Sequence, residues 1–419
     1  MAKELDPLKV LLHLLSPNIE PDEAFKVLSH LDLDQWDALN AEAQRQEVEP
    51  FFYTLLVNLN KSHGLQIPQK DLLRQVYLAT AAQNMLALHD TEIVLSALQK
   101  AGIAVAGLKG VYLLEHAYPD IGARSMSDID ILVKKQNLAE CTGILEALGY
   151  RPTTYFDPND ENFDTKHLPP MQKSSGAMVE AHWTLLEENE PFTIDTEALW
   201  ERTLPAKIAN VDALALGTED LILHLCLHLT YQHYLNLGLR SLLDVALVIH
   251  KFESEINWNK LVEIAKTWGA EKVTTLTLKL VETQLNVPIP AEVAESLLPE
   301  GIPPSLLEQA RIQLLERVRF EDRLTPDLVK MNASSNVFSK IRIGLQRVFI
   351  PRLALARTYN ISPTSPKIVY FYWIRVKYLI RNYGGTLQRL LKREKTTAPA
   401  LQKAEISYTL HAWMTPQKD

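Results

Sequence analysis

Residues 127–133 read Ser-Asp-Ile-Asp-Ile-Leu-Val, and this alternation of acids with branched apolar residues predicts a β-strand. Side chains two apart in a strand share a face, so Asp128 and Asp130 point to one side of it. Neighbouring carboxylates repel each other, and an unpaired buried carboxylate is costly. The stretch therefore requires a compensating partner for its two acids.

The bulk composition is that of an ordinary globular protein. Of 419 residues, 47% are hydrophobic and 22% are charged. Two cysteines, Cys141 and Cys226, are too few for a disulfide framework and favour a reducing, cytoplasmic environment. The N-terminal sequence lacks the features of a signal peptide or an anchor, and no apolar window is long enough to span a bilayer.

The sequence pattern divides the chain into four predicted regions. Residues 1–100 read as an N-terminal helical region, and residues 101–190 alternate between strand and helix patterns. Residues 191–335 are predicted to form a helical domain and residues 336–419 a basic helical C-terminal region. The order β-α-β-α-β-β between about 103 and 186 predicts a small mixed β-sheet with helices on one face, an α+β core.

A divalent cation would compensate the paired acids. Magnesium binds carboxylate and phosphate oxygens, and two such ions can activate an attacking oxygen and stabilise a leaving one. Glu180, in the strand pattern Met-Val-Glu-Ala-His, is a third acid between apolar residues. The competing interpretation is a solvated edge strand. The apolar run Ile131–Val133 and the strand-turn-helix pattern upstream favour a central strand instead.

Three segments together resemble a known family: LKG at 108–110, YPDIGARSMSDIDILV at 118–133 and VEAHWTL at 179–185. They are similar to the uncharacterised bacterial nucleotidyltransferase family of the DNA polymerase β-like superfamily. Its pattern is an apolar residue with Gly-Gly or Gly-Ser, then an acid-x-acid strand, then a third acid on a later strand. The resemblance implies a nucleotidyltransferase core at 101–190. The catalytic and metal-binding residues it implies are Asp128, Asp130 and Glu180.

The activity implied by the resemblance is transfer of a nucleoside monophosphate from an NTP to a hydroxyl-type acceptor, with release of pyrophosphate and dependence on Mg²⁺ or Mn²⁺. The acceptor stays open between a protein, a small molecule and RNA. Two departures from the pattern matter. Lys109-Gly110-Val111 stands where Gly-Ser is usual, and the interval from Gly110 to Asp128 is longer than usual. They leave open the alternative of a catalytically inactive nucleotide-binding or scaffold protein.

Four residues near these acids are predicted to bind the nucleotide. Lys109 offers a point charge, and Gly110 lets backbone amides approach phosphate at a helix start. Arg124 offers a bidentate phosphate contact, although both cations could instead form structural salt bridges to the acids. His182 lies on the acidic face of its strand, where it could orient a phosphate or be a half-buried structural histidine. His167, just upstream, is a further candidate.

Two other polar groups lie in the predicted helical domain. Asp244, in an apolar helix, could contact substrate or pair with Arg240 one turn before it. A second group consists of three histidines and one cysteine, and two of the histidines are four residues apart, as in some zinc sites. The group lacks a metalloprotease motif, so histidines packed between helices are the favoured interpretation. Its members are His224, Cys226, His228 and His233.

The C-terminal region has an unusual charge. Between Lys340 and Lys395 there are 13 Lys and Arg residues and one acid, Glu394, which leaves the remainder of the chain near −20. The segment YFYWIRVKYLIRNY interleaves aromatic and basic residues, as do single-strand nucleic-acid binders and helices on anionic membranes. Packing of this basic helix on the chain's own acidic surface is the favoured interpretation, and contact with nucleic acid, a membrane or a protein partner is the alternative.

Overall fold

The computed structural model describes residues 6–154, 165–174, 176–316, 342, 345, 348–391 and 398–416. The chain forms two compact units. The main unit comprises Met1–Arg151, Asn162–Arg317 and Met414–Asp419, and the second unit comprises Pro152–Glu161 and Val318–Trp413. The division into four regions made from the sequence stays a prediction.

The N-terminal part of the main unit is helical, as its sequence predicts. Asp32 begins one of these helices with a capping box, in which its side chain accepts from the Gln35 amide and the Gln35 side chain accepts from the Asp32 amide. The longest helix, α5, has 31 residues and contacts three strands of the sheet. The bounds are α1 Pro7–Leu14, α2 Pro21–Ser29, α3 Leu33–Arg45, α4 Glu49–His63 and α5 Lys70–Lys100.

A mixed sheet of seven strands, counted over the described residues, forms the centre of the α+β fold in the order β3-β4-β5-β2-β1-β7-β6. Strand β2 pairs in parallel with β5 and antiparallel with β1. The strand that carries the two aspartates is therefore an interior strand, as predicted, and not a solvated edge. The strands are β1 Val105–Gly107, β2 Asp128–Val133, β3 Arg151–Pro152, β4 Met171–Gln172, β5 Met178–His182, β6 Leu204–Ile208 and β7 Val211–Ala215.

The hairpin β6–β7 corrects the prediction that residues 191–335 are entirely helical. Its two strands pair antiparallel, and β7 extends the sheet by pairing in parallel with β1. The turn residues Ala209 and Asn210 have φ angles of 47° and 65°. Two successive positive φ angles are typical of the tight hairpin turns that Asn-Gly usually signals. The Ala-Asn pair gave no such signal, and Pro205 is tolerated because β6 is an edge strand.

The remaining helices follow β1 along the chain. A π-helical turn, Leu227–Gln232, continues α9 directly. No helix within the described part of the chain has the length and apolar character needed to cross a membrane. The bounds are α6 Gly110–His116, α7 Leu138–Ala147, α8 Thr196–Glu201, α9 Thr218–Cys226, α10 Leu239–Lys251, α11 Trp258–Trp268, α12 Glu271–Leu285, α13 Ala291–Leu297, α14 Pro304–Leu315, α15 Arg352–Tyr359, α16 Ile368–Leu391 and α17 Ala398–Met414.

Candidate active site

The register of β2 on β5 brings the predicted acids together. Asp130 lies opposite Glu180, and Leu132 lies opposite His182. Residues directly opposite each other on paired strands project to the same face. Strand alternation adds Asp128 to this face, so three carboxylates and one imidazole share it.

Asp130 is the most deeply buried of the three acids, at 2% exposure. Its Oδ1 accepts hydrogen bonds from Lys109 Nζ at 2.8 Å and from His182 Nε2 at 2.9 Å. Burial alone would raise the pKa of Asp130, but the Lys109 ammonium and His182 hold it well below its ordinary value. Asp130 is therefore an ionised carboxylate whose charge is already partly balanced.

Asp128 has a different environment. Its Oδ1 accepts a hydrogen bond from Ser127 Oγ at 2.9 Å, and within the described residues it forms no ion pair. Burial, and then the repulsion of Asp130, raise the pKa of the Asp128 carboxyl. An added cation would therefore stabilise the ionised form of Asp128 more than that of Asp130, which already has an ion-pair partner.

Glu180 completes the acidic face with two histidines beside it. Its Oε2 lies 3.6 Å from His182 Nε2 and 4.0 Å from His167 Nε2. Burial is the largest influence and opposes ionisation, but the two histidines together outweigh it and lower the pKa of Glu180. One ligand atom from each of Asp130, Glu180 and His182 falls within 4.8 Å of the others, a spacing that can hold a metal ion.

The turn from β1 into α6 is strained at Lys109, whose φ is 45° and ψ −123°. For a residue with a Cβ this conformation is unfavourable and is often found at functional sites. From this position the ammonium of Lys109 reaches Asp130, at 2.8 Å. Gly110 follows, and a Cβ there would lie 2.9 Å from Nη1 of Arg124. Glycine at 110 thus allows the arginine to pack against the helix start.

Arg124 forms a buried ion pair with Asp244. Its Nε donates to Oδ1 at 2.7 Å and its Nη2 to Oδ2 at 2.9 Å, while the Tyr118 hydroxyl also donates to Oδ1 at 2.7 Å. The predicted pair of Asp244 with Arg240 is wrong, because Arg240 Nη1 donates to Ser125 Oγ at 2.9 Å instead. The alternative considered for Arg124, a salt bridge to the acids of the aspartate strand, is also wrong, since its acid comes from α10. Its phosphate contact stays a prediction.

The long interval between Gly110 and Asp128 forms a loop that α5 holds in place. Asn84 of α5 is fully buried, and its Nδ2 donates to the carbonyl oxygens of Ile121 and Arg124 at 2.6 Å each. Its Oδ1 accepts from the Met126 amide at 3.1 Å. One amide side chain therefore fixes the backbone on both sides of Arg124 and sets the entry into β2.

The acids of β2 and β5 and the cations beside them face a cavity of about 300 Å³ within the main unit. All the predicted residues except the buried His182 line it directly: Lys109, Gly110, Arg124, Asp128, Asp130 and Glu180. Sequence reasoning missed or set aside four others that also line it: Lys166, His228, His233 and Arg240. The acids come from the sheet, and the additional residues come from a loop and from the helices after β7.

Lys166 and Arg240 differ from the other two cations of the cavity. Lys109 and Arg124 are each paired with an acid, whereas Lys166 and Arg240 have no carboxylate partner among the described residues. Burial, followed by the nearby Lys109 ammonium, lowers the pKa of Lys166. As far as the described residues show, these two cations are therefore ones that an anionic ligand could neutralise without breaking an internal ion pair.

The two histidines that line the cavity from the helices after β7, His228 and His233, are uncharged at neutral pH. Burial lowers the pKa of His228 well below its ordinary value and that of His233 to about 4. His233 ends the π-helical turn, and Tyr234 and Leu235 after it have φ angles of 51° and 59°. A π-helical turn followed by two strained residues is a combination found at functional sites.

The interpretation of the helix histidines as packed groups is favoured by their surroundings. The ring centroids of His224 and His228 are 6.1 Å apart, and His224 is almost fully buried. Among the described residues, the metal-holding arrangement found is that of Asp130 with Glu180 and His182. Burial raises the pKa of the Cys226 thiol to about 12, which disfavours a thiolate ligand.

A family model agrees with the motifs. Residues 32–286, more than half of the chain, match the model of a family described as an uncharacterised nucleotidyltransferase. Curated proteins gave no match. The chain is similar to the solution structure of the antibiotic-resistance factor ANT(2'')-Ia, at 13% identity and a TM-score of 0.30, covering 42% of this chain and 87% of that one. The family predicted from the motifs is confirmed, and this chain belongs to the uncharacterised nucleotidyltransferase family.

Proposed function

We propose that this nucleotidyltransferase moves a nucleoside monophosphate from an NTP to a hydroxyl-type acceptor and releases pyrophosphate, in a reaction that depends on Mg²⁺ or Mn²⁺. The observation that carries the proposal is the pairing of Asp130 with Glu180 across β2 and β5. It places three carboxylates on one face, at the wall of a cavity that also contains cations.

The residues proposed to hold the metal are Asp128, Asp130 and Glu180, of which Asp130 and Glu180 also belong to the group, with His182, whose spacing can hold a metal ion. Their oxygen donors suit Mg²⁺ and Mn²⁺, and Asp128 has no ion-pair partner within the described residues, which supports the fit. A bound divalent ion supplies charge neutralisation for the phosphate oxygens and makes an attacking oxygen more reactive. Lys109 would keep Asp130 ionised and oriented before any nucleotide arrives.

The triphosphate would be held by cations on the other walls of the cavity. Lys166 and Arg240 are the best candidates because their charges are not used in ion pairs with described acids. Lys109, Gly110 and Arg124 remain proposed nucleotide-binding residues, and His182 would act by fixing Asp130 and Glu180. Positioning and charge neutralisation are what phosphoryl transfer asks of a protein.

In the proposed reaction the acceptor oxygen forms a bond to the α-phosphorus while the bond from the α-phosphorus to the pyrophosphate oxygen breaks. The proton of the acceptor hydroxyl has two receivers at the cavity wall, the carboxylate of Glu180 and the neutral imidazole of His233. Lys166 and Arg240 would stabilise the negative charge that builds on the leaving pyrophosphate.

The test is Mg²⁺-dependent binding of each NTP, measured by titration calorimetry, for the wild type and for Asp128→Asn/Asp130→Asn. The double variant should lose the metal-dependent part of the binding. Asp34→Asn/Asp212→Asn is the matched control, since it removes two exposed carboxylates outside the cavity. Equal binding by all three proteins would count against the proposed metal site.

One observation favours the second candidate function, a catalytically inactive nucleotide-binding or scaffold protein. The ammonium of Lys109 already occupies Oδ1 of Asp130, at a position where the superfamily usually has Gly-Ser. Incubation with α-labelled NTP, Mg²⁺ and a cell extract separates the two. Label transfer with pyrophosphate release supports the enzyme, and binding with neither supports the inactive alternative.

A further inference from the structure

Helix α16 of the second unit has one face that packs within that unit. Ile368 is almost fully buried, and Tyr372 donates a hydrogen bond from its hydroxyl to the carbonyl oxygen of Ile350 at 2.6 Å. The ring of Phe371 lies 5.0 Å from that of Tyr359 at the end of α15. This side of α16 is therefore accounted for by contacts with the preceding segment.

The other side of α16 is exposed and carries both apolar and basic side chains. Its four apolar members are each more than half exposed, and its two basic members are exposed as well. At 100° per residue these positions fall within an arc of about 120°. We call this set the exposed strip: Val369, Tyr370, Trp373, Lys377, Ile380 and Arg381.

Three of the four apolar side chains of the exposed strip lie along one of its edges, and Tyr370 lies between the two basic residues. Val369, Ile380 and Trp373 fall within about 40° of one another around the helix, while Lys377 and Arg381 lie further round on one side. A large exposed apolar patch bordered by charged residues marks an interaction site. Aromatic and aliphatic residues beside Lys and Arg are the pattern of helices that lie in the interface of an anionic membrane.

Charge limits the chemistry of the partner. Between Lys340 and Lys395, 13 basic residues are accompanied by one acid, Glu394. A partner that fits must therefore be anionic: an acidic protein surface, acidic lipid headgroups or nucleic acid. The exposed apolar side chains beside the basic ones favour lipid over an acidic protein surface, because acyl chains accommodate them. Basic residues in the middle of α16, among them Lys377, are costly inside a bilayer, so the helix would lie on the membrane surface.

The rings of the exposed strip favour lipid over nucleic acid. Single-strand binders stack bases on free aromatic faces. Trp373 has Tyr370 beside it, with ring centroids 6.0 Å apart and planes at 27°, and Lys377 Nζ lies 3.6 Å from its ring centroid. One face of the indole is thus already contacted by the Lys377 ammonium and is not free to stack on a base. Val369 and Ile380 also have nothing to contact on a phosphate backbone, whereas acyl chains accommodate them.

We propose that the exposed strip of α16 docks this protein on membrane surfaces rich in anionic lipid. Trp373 and Ile380 enter the boundary between headgroups and acyl chains, and Lys377 and Arg381 bind lipid phosphates. The proposal does not depend on the reaction at the cavity, because the strip contains none of the residues that line it.

The test is sedimentation of the full-length chain with vesicles of phosphatidylcholine alone or mixed with phosphatidylglycerol. The wild type should sediment with the mixed vesicles only, and less at high salt. Lys377→Glu/Arg381→Glu should weaken this binding about tenfold or more, as expected when basic residues near an anionic surface are reversed. Trp373→Ser/Ile380→Ser should weaken it without removing charge. Both variants change exposed side chains, and an unchanged circular dichroism spectrum verifies folding.

Lys70→Glu/Lys100→Glu is the matched control, because it makes the same change in net charge with two exposed lysines of α5. It should bind vesicles like the wild type. Equal loss in the control, or no sedimentation of the wild type with anionic vesicles, would overturn the proposal. So would binding of a single-stranded RNA that Trp373→Ser/Ile380→Ser abolishes in the absence of vesicle binding.

Discussion

Replacement of Lys109 by Met tests the charge balance of the candidate site most directly. Methionine keeps the length of the side chain and removes the ammonium. Asp130, at 2% exposure, would then retain His182 as its hydrogen-bond donor, at 2.9 Å, and lose the 2.8 Å bond to Lys109. Breaking a buried ion pair on one side typically costs about 3–5 kcal/mol. The remaining donor places the expected cost at the lower end, about 3 kcal/mol.

A loss of this size should be visible by scanning calorimetry. At roughly 2–4 °C per kcal/mol for a domain of a few hundred residues, a loss of about 3 kcal/mol should lower Tm by about 6–12 °C. Lys109→Met/Asp130→Asn should recover most of the loss, because the uncompensated charge is gone. Lys100→Met, which removes an exposed ammonium, is the control and should leave Tm nearly unchanged.

Added Mg²⁺ makes the same variant informative about the proposed metal. An ion held by Asp128 and Asp130 would replace the missing positive charge, and a ligand that binds the folded state stabilises it by mass action. Mg²⁺ should therefore raise the Tm of Lys109→Met by more than it raises that of the wild type. If the Tm of Lys109→Met without added Mg²⁺ is within about 1 °C of that of the wild type, the reasoning is refuted. So small a change in Tm is what the loss of an exposed ion pair would cause.

Arg124→Met should destabilise the fold by about 3–5 kcal/mol, because Asp244 would be left buried with only the Tyr118 hydroxyl; denaturant unfolding measures this, and a loss under 1 kcal/mol would contradict the structural role of the pair. Lys166→Ala should weaken Mg²⁺-NTP binding in titration calorimetry by about tenfold, the effect of losing one charge-assisted contact, with an unchanged Tm. Unaltered affinity would exclude Lys166 from the phosphate site. His233→Gln should lessen the fall of Tm with acid. The pKa of His233 drops from 6.5 to about 4 on folding, so below pH 6.5 the unfolded chain takes up a proton that the folded chain does not. The two proteins should match above pH 7 and diverge towards pH 4, and parallel curves would show that His233 is not buried as described.

The acids of the site were predictable because their signal is local. Alternation in residues 127–133 fixes the shared face of Asp128 and Asp130, and the strand pattern around Glu180 fixes its side as well. Only the pairing of β2 with β5 was needed to join them, and a small mixed sheet leaves few alternatives for two interior strands.

The cations were harder to predict because their partners are distant in sequence. Arg124 and Asp244 are 120 residues apart, and a spacing of one helical turn made Arg240 the more obvious partner of Asp244. Lys166 lies outside regular structure and reaches the site because its carbonyl oxygen accepts from the Trp183 amide at 3.1 Å, just after β5. Neither relation leaves a pattern in the neighbouring residues.

The ion pair between Arg124 and Asp244 has a consequence for how substrates enter. It joins the loop before β2 to α10, and both elements line the cavity. Two charge-assisted hydrogen bonds and the Tyr118 hydroxyl hold them together. Opening the walls by a hinge would expose both charges at once. The nucleotide should therefore bind to a preformed cavity whose width does not change. The binding kinetics should show a single bimolecular phase, without a preceding isomerisation of the protein.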